Sequence, residues 1–446
     1  MNKLEEFNLE LKKKKIAVIG VGVSNIPLLD YLKDLSANVT IFDKKEITID
    51  MSKYNFKVFT GSDYLTHLKG FDIIFRSPSC LPTTKELVEE ANRGAYITTE
   101  VEEVIRLTPA KVIGITGSDG KTTTTTLISK VLEANNYHVF LGGNIGVPLF
   151  TKIKDMTEDD IVVLELSSFQ LMNMRVSPSI SVITNISPNH LDYHKDYQEY
   201  IDAKTCIYKN SNGILVLNKD NEITSKLTST REIRYFSRYQ KTNYFYVSNS
   251  NIYYKDKLII NTKDLHIRGV HNYENICACL TAIIDLIDLD KSIEVIKKFS
   301  GVEHRIEFVR EINGVKWYND SVSSSPTRTI AGLNSFTEPI VLIAGGYDKN
   351  LDYTPLAKPI LEHVKQLILF GSTKDKILNA VTKEKTNENI EIHVLNTLEE
   401  VVNKAKEVSN KGDVVLFSPA SASFDLFKNF ADRGLQFKEL VKKIPD

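Results

Sequence analysis

Gly114–Lys130 reads GITGSDGKTTTTTLISK, a β-rich run that turns through glycines into a helical pattern opened by the threonines 122–126. Threonine is poorer than alanine in a helix by roughly 0.6 kcal/mol, so the run costs on the order of 3 kcal/mol of local propensity. A strand, a glycine-bearing turn and a helix in that order are what a phosphate cradle requires. Gly117, Ser118, Asp119 and Gly120 would turn backbone N–H groups toward an anion. The helix start adds partial positive charge, Lys121 can reach terminal phosphates, and Thr122 can ligate magnesium, with Thr123 beside it. The spacing is GxxGKT rather than GxxxxGK[ST], because Ile115 stands five residues before Gly120. A glycine-rich turn with a helix-capping cluster is therefore the alternative.

Around this motif, short apolar runs alternate with helical patterns. KIAVIG (15–20), NVTIFD (38–43) and DIIFRS (72–77) make a first series, and KVIGITG (111–117), HVFLGG (138–143), IVVLELS (161–167), ISVITNIS (180–187) and GILVLN (213–218) a second. The stretch 244–260 alternates like an exposed antiparallel hairpin. A third series holds NGVKWYND (313–320), PIVLIAGG (339–346), QLILFGS (366–372), IEIHVL (390–395) and DVVLFSPA (413–420). Nearly continuous apolar strands between helices predict parallel sheets, with ligands beyond the strands' carboxyl ends. The 446 residues exceed one ordinary core and suggest about three domains. The expected fold class is α/β: a Rossmann-like domain over 1–106, a P-loop-type ATPase domain over 107–301 and a second Rossmann-like domain over 302–446.

With 42% hydrophobic and 25% charged residues, and a net charge of -1 from 56 basic against 57 acidic side chains, the chain reads as soluble and globular. That balance removes the electrostatic case for nucleic acid or an anionic membrane as partner. Cys80 and Cys206 are isolated, while Cys277 and Cys279 fall on different faces of a helical pattern, so buried thiols in a reducing compartment are expected. No run approaches the length of a membrane span, and MNKLEEFNLELKKKKIAVIG lacks a leader's cleavage site. A cytoplasmic monomer is the expectation.

Several strand-end residues could carry chemistry. Gly20-Val-Gly22-Val-Ser24-Asn25 imitates a dinucleotide fingerprint but has Asn25 where the third glycine belongs. A nicotinamide cofactor, another diphosphate ligand and a plain tight turn stay open, with Lys44 and Lys45 after Asp43 favouring an anion. Glu165 ends a buried strand and needs a partner, either a magnesium shared with Thr122 or a nearby lysine or helix cap. His190 follows another strand and, alone, is as readily structural. Lys204 falls inside the helical stripe of Tyr197, Tyr200, Ile201, Ile207 and Tyr208. It either snorkels or is desolvated, in which case its neutral amine can add carbon dioxide and bind metal as a carbamate.

Read together, GITGSDGKTT, GGNIG (142–146), LELSSFQL (164–171), NISPNHLD (185–192), GVHNYENICA (269–278), EHRIE (303–307), WYNDS (317–321) and SPASASFDLFKNFADRG (418–434) resemble the ATP-dependent Mur ligases of peptidoglycan precursor synthesis. The likeness covers essentially the whole chain, and GGNIG, LELSSFQL and the last motif are most similar to the D-glutamate-adding branch. The resemblance implies ATP, two Mg2+ ions, a carbamylated Lys204, and UDP-N-acetylmuramoyl-L-alanine and D-glutamate as substrates. It implies that Lys121, Thr122 and Glu165 serve the phosphates and first magnesium, and that His190 and Lys204 serve the second. It further implies that Asn272 and Asn275 approach adenine, Arg305 the phosphates and Asp320 the ribose. Val23, Ser24, Lys44 and Lys45 match positions facing the uridine diphosphate, and Asn144 and Ser167 those facing the muramoyl-alanine arm. Ser324, Lys349, Ser423 and Phe430 match positions around D-glutamate. Where many relatives read NDSKATN, this chain has Val322 and Ser324, which removes a charge near that pocket. Another Mur or folylpolyglutamate ligase is the nearest rival, though a DNPR-type signature is missing. A non-catalytic nucleotide-binding module is the rival from another class.

Overall fold

Strand β1 (Lys15–Ile19) is the middle of a five-stranded sheet whose other members are β2 (Asn38–Asp43), β3 (Lys57–Thr60), β4 (Ile73–Arg76) and β5 (Tyr96–Thr98). The computed structural model describes residues 1–190, 193–267, 269–384 and 390–445. Leu191 and Asp192 of the NISPNHLD run lie outside the described residues. The order is β3-β2-β1-β4-β5 with every pair parallel, so the connections after β1 and β4 leave in opposite directions and open a crevice between them. Helices α1 (Lys3–Lys13), α2 (Asn25–Asp34), α3 (Lys85–Asn92) and α4 (Glu100–Leu107) accompany this sheet.

The second sheet contains β6 (Lys111–Thr116), β7 (Val139–Gly143), β8 (Ile161–Glu165), β9 (Ile180–Ile183), β10 (Ile214–Asn218) and β11 (Glu232–Phe236) in the order β11-β10-β9-β6-β8-β7, again all parallel. Helices α5 (Lys121–Ala134), α6 (Ser168–Leu171) and α7 (Tyr197–Lys209) follow its strands. Central β6 has β8 and β9 as neighbours, so the loops after these three strands emerge side by side. The expected hairpin is a three-stranded antiparallel meander, β12 (Phe245–Ser248), β13 (Asn251–Tyr254) and β14 (Lys257–Asn261). Two two-residue turns make it, Asn249-Ser250 and Lys255-Asp256, and all four residues have positive φ, the backbone that matches strand twist in tight hairpins.

Residues 1–262 and 273–295 form one compact unit. Its two parallel sheets share a core in which Phe7, Phe75 and Phe150 meet edge to face at 6.3–6.4 Å. The boundary expected at 106/107 falls at the end of α4, whose Val101, Val104 and Leu107 join the same cluster as Leu164 and Ile183 of the second sheet. Polar clamps cross this junction. Buried Arg76 donates to the Met172 carbonyl at 2.8 Å, and Glu100 Oε1 accepts the N–H groups of Leu149 and Phe150 at 2.8 Å each.

After α8 (Val270–Ile283) and α9 (Leu289–Lys298), the second unit, residues 263–272 and 296–446, is built on β15 (Glu307–Ile312), β16 (Val315–Asn319), β17 (Ile340–Ala344), β18 (Val364–Leu369), β19 (Glu391–Val394) and β20 (Val414–Phe417). The order is β15-β16-β20-β17-β18-β19, and only the β15–β16 pair is antiparallel. Helices α10 (Pro326–Leu333), α11 (Thr354–His363), α12 (Lys374–Glu384), α13 (Leu398–Val408) and α14 (Phe430–Lys443) cover the sheet. Ile340, Leu342 and Ala344 of β17 enter one core and Val341 and Ile343 the other, which is why this strand is apolar without interruption.

Candidate active site

The loop between β6 and α5 is shaped by Gly117 (φ +152°) and Gly120 (φ +78°), where side chains are strained. A Cβ at Gly117 would strike Thr184 Oγ1, and one at Gly120 would strike Asn275 Oδ1. Main-chain and side-chain bonds pin the loop to the end of β9: Ser118 N to Asn185 O at 2.9 Å, Asp119 N to Asn185 Oδ1 at 2.9 Å, and Thr184 Oγ1 to Asp119 O at 2.5 Å. Lys121 Nζ folds back to the carbonyls of Gly117 (2.8 Å) and Ser118 (3.0 Å). The threonine run now has a physical account. Thr123, Thr124 and Thr125 are buried where α5 lies on the sheet, while Thr122 stays partly open at the loop.

Glu165, at the tip of β8, is 2% exposed. Its Oε1 accepts Asn144 Nδ2 at 2.8 Å, but among the described residues its buried Oε2 has no hydrogen-bond donor. A buried carboxylate oxygen without a donor calls for a cation. Lys204, on α7, is 1% exposed and donates to Gly117 O at 2.8 Å and Thr116 Oγ1 at 3.4 Å, with its Nζ 4.7 Å from the Tyr200 ring centroid. Burial, then the charge of Lys121, hold its pKa well below the ordinary lysine range against the opposing pull of Asp119 and Glu165. His190 is exposed, has φ +54°, and sits edge-on to Phe169 at 5.0 Å. Among the described residues no three His, Cys, Asp or Glu side chains converge as a ready metal cluster. The orphaned Glu165 oxygen, the Thr122 hydroxyl and a lysine fit to become a carbamate nevertheless suit a hard, oxygen-seeking divalent ion.

Beside this lies a cavity of about 280 Å³ at the crevice of the first sheet, lined by Val23, Ser24, Pro78, Asn144, Ser167 and Phe169. Four residues assigned to the sugar nucleotide therefore come together. Lys44 and Lys45 are exposed beyond β2 and do not line it. Asn25, which breaks the dinucleotide fingerprint, is buried and braces the loop, its Nδ2 donating to Gly20 O at 2.8 Å and Ile19 O at 3.2 Å. Asp43 is occupied by the N–H groups of Val21 (2.7 Å) and Lys45 (2.8 Å). Ser167 caps α6 in a reciprocal box with Gln170.

Asn272 and Asn275 are buried one turn apart near the start of α8. In the second unit Arg305 is exposed, and Asp320 is buried, its oxygens accepting from Ser323 Oγ (2.6 Å), Ser418 Oγ (2.7 Å) and Ile306 N (3.2 Å). Burial pushes its pKa up to about 6. Ser324 is half-buried, Val322 donates its N–H to His304 O at 3.0 Å, and Ser423 is buried. Lys349 extends over Phe424, with Nζ 5.5 Å from the ring centroid, and Phe430 begins α14 edge-on to His304 at 6.0 Å. Sequence reasoning missed Arg433. It is fully buried and donates to the carbonyls of Ala422 (2.7 Å), Ser321 (2.8 Å) and Ser421 (3.1 Å), tying the loops after β16 and β20 together. Its signal was a cation in line with Phe437 and Val441 on one helix face.

A phosphate loop after β6, an orphaned carboxylate at the tip of β8 and a desolvated lysine on α7 together suit a nucleotide-dependent ligase of the Mur type. Family models for the Mur ligase middle domain and for the Mur ligase, glutamate ligase domain match residues 115–283 and 304–421. The chain belongs to the Mur ligase family. It is 47% identical to the UDP-N-acetylmuramoylalanine--D-glutamate ligase of Clostridium botulinum (strain 657 / Type Ba4), over 99% of both chains. It is 48% identical to the enzyme of that name from Clostridium beijerinckii, over 98% of this chain and 99% of the relative. Solved folds similar to it include the UDP-N-acetylmuramate-alanine ligase MurC of Thermotoga maritima (TM-score 0.58, 18% identity, 96% of this chain and 99% of that one). The MurF ligase of Thermotoga maritima in complex with ADP is another (TM-score 0.56, 19% identity, 98% and 97%).

Proposed function

We propose that the protein joins D-glutamate to UDP-N-acetylmuramoyl-L-alanine at the expense of ATP, a step in making the peptidoglycan precursor. The observation that carries ligase chemistry is the buried, depressed Lys204 held at the phosphate loop. The names of the near-full-length relatives supply the substrates.

A carboxylate is a poor acyl donor because its oxygen leaves badly. The alanyl carboxylate therefore attacks the γ-phosphorus of ATP, forming an acyl phosphate and releasing ADP. The amine of D-glutamate then adds to the acyl carbon, loses a proton, and the tetrahedral intermediate expels inorganic phosphate as the amide forms. Both steps gather negative charge. Lys121 and the N–H groups of the Gly117–Gly120 loop bind the phosphates of ATP. Thr122, Glu165, His190 and a carbamylated Lys204 would hold two Mg2+ ions, which supply charge neutralisation at the transferring phosphoryl group. Asn144 orients Glu165, and with Ser167, Val23 and Ser24 it lines the cavity assigned to the sugar nucleotide, while Lys44 and Lys45, exposed outside that cavity, are assigned to its diphosphate. Asn272, Asn275, Arg305 and Asp320 are assigned to the nucleoside and phosphates of ATP, and Ser324, Lys349, Ser423 and Phe430 to D-glutamate. Among the described residues no helix is long and apolar enough to cross a membrane, and we place the enzyme in the cytoplasm as a monomer.

Phosphate release from ATP, measured with UDP-N-acetylmuramoyl-L-alanine and a panel of amino acids, tests this reading. Release is expected with D-glutamate and with no other amino acid of the panel. Equal release with L-lysine or diaminopimelate, or none with any, would overturn it.

A further inference from the structure

His194 has no part in the assignments above, yet it touches the segment after β8, its own segment at His190 and the helix of Lys204. Its side chain is fully buried. Nε2 lies 2.9 Å from Ser168 Oγ, three residues beyond Glu165, and Nδ1 faces Glu199 Oε2 at 3.5 Å on α7, the helix of Lys204. Its backbone N–H donates to His190 O at 3.0 Å. The ring lies flat against Phe169 (5.8 Å, 13°) and edge-on to Tyr200 (5.3 Å), whose hydroxyl is 2.9 Å from Ser118 Oγ in the phosphate loop. A carboxylate carries no proton to donate, so the Glu199 charge 3.5 Å from Nδ1 favours hydrogen on that nitrogen, which makes no hydrogen bond among the described residues, and Nε2 is left to accept the Ser168 hydroxyl at 2.9 Å.

We propose that His194 is a positioning residue: one imidazole, clamped between Ser168 and Glu199, sets the spacing of Glu165, His190 and Lys204 for a divalent cation. The inference rests on the reading of those three as cation ligands. A side chain that only filled space would be replaceable by phenylalanine, which keeps the ring contacts with Phe169 and Tyr200. A clamp would not, because the polar contacts that orient metal-binding groups typically matter by about 10- to 100-fold in metal affinity.

The test measures ATP binding by titration calorimetry, without the other substrates, across a Mg2+ series and in EDTA. For His194→Phe the Mg2+ concentration giving half of the metal-dependent gain is expected to rise about 10- to 100-fold. Affinity in EDTA and the melting temperature should stay at wild-type values. Ser168→Ala should reproduce the shift, and the double variant should add little to either single change. His194→Gln, whose amide can still reach Ser168, gives a second variant should phenylalanine not fold, and is expected to fall between. Wild-type Mg2+ dependence in His194→Phe or His194→Gln overturns the positioning role alone. A wild-type protein that binds ATP equally with Mg2+ and with EDTA overturns the cation-site reading and the proposal with it.

Discussion

Lys121 and Lys204 converge on a single acceptor, the carbonyl oxygen of Gly117, which lies 2.8 Å from the Nζ of each. The first opens α5 and the second comes from α7, so two helices deliver like charges to one atom of the phosphate loop. That arrangement, added to burial, favours the neutral amine of Lys204. Addition of carbon dioxide to that amine forms an N–C bond and releases a proton. The resulting carbamate would be an anion beside Lys121, so the proposed modification would turn a like-charge conflict into an attraction and create oxygen ligands.

Replacing Lys204 with alanine should therefore abolish ligation, by about 100-fold or more, while the protein stays folded. A short carboxylic acid added to Lys204→Ala should restore part of the rate, because it can occupy the space of the carbamate, and Lys204→Arg should not respond. Steady-state rates with and without acetate or formate check this. Undiminished activity in Lys204→Ala would end the carbamate reading.

Gly120→Ala should weaken nucleotide binding more than it weakens the fold. Position 120 needs a left-handed backbone, which costs a residue with a Cβ roughly 1–2 kcal/mol, and the added methyl group meets the Asn275 side chain. The loop must then open or shift the helix start that presents its N–H groups. Calorimetric titration with ADP should show affinity lower by at least about 10-fold, whereas the same affinity as wild type would mean that the loop's shape does not matter.

Much of this architecture could be read in the chain because buried parallel strands are apolar on both faces. PIVLIAGG and IVVLELS belong to such strands, β17 and β8. The edge strands β3 (KVFT) and β11 (EIRYF) escaped because they carry charges or stay partly exposed, and β15 escaped although Asn313-Gly314 marks its turn into β16. Candidate site residues stood out where chemistry and local order coincide, as at Gly117, Lys121, Glu165 and Lys204. Roles that depend on distant partners did not. Asn25 looked like a missing glycine, yet its amide is what holds the loop after β1, and nothing local signals that Glu100 anchors the segment following Asn144 or that His194 reaches both Ser168 and Glu199.

Glu100 should make stability fall as pH rises. It is buried, and desolvation raises its pKa to about 7, while the N–H groups of Leu149 and Phe150 only partly counter this. Below pH 4.5 the group is protonated in both folded and unfolded chains. Between 4.5 and 7 the unfolded chain loses the proton that the folded one keeps, so stability declines through that window and levels off above it. The decline attributable to this group is about 3 kcal/mol. Glu100→Gln retains an oxygen for both N–H groups and cannot ionise, so its urea-unfolding midpoint should drift above that of the wild type between pH 4.5 and 7.5. Parallel pH profiles would show that Glu100 is ordinary.

Arg433 offers the sharpest separation of shape from charge in the second unit. Its planar fork serves the carbonyls of Ala422, Ser421 and Ser321, and its Nε donates to Ser321 Oγ at 3.0 Å, so a single side chain holds the turn after β16 against SPASAS. Burial lowers its pKa to about 10, which leaves it cationic at neutral pH. Lysine preserves that charge but has neither the fork nor the reach to satisfy these acceptors together. Arg433→Lys should leave carbonyls unpaired at about 1–3 kcal/mol each, lowering the melting temperature. It should also loosen the loops bearing Ser423 and Ser324, so that the KM for D-glutamate rises several-fold while the KM for the sugar nucleotide, assigned to the first unit, is unchanged. Equal increases in both constants would show that the variant acts through global destabilisation and not through the two loops it joins.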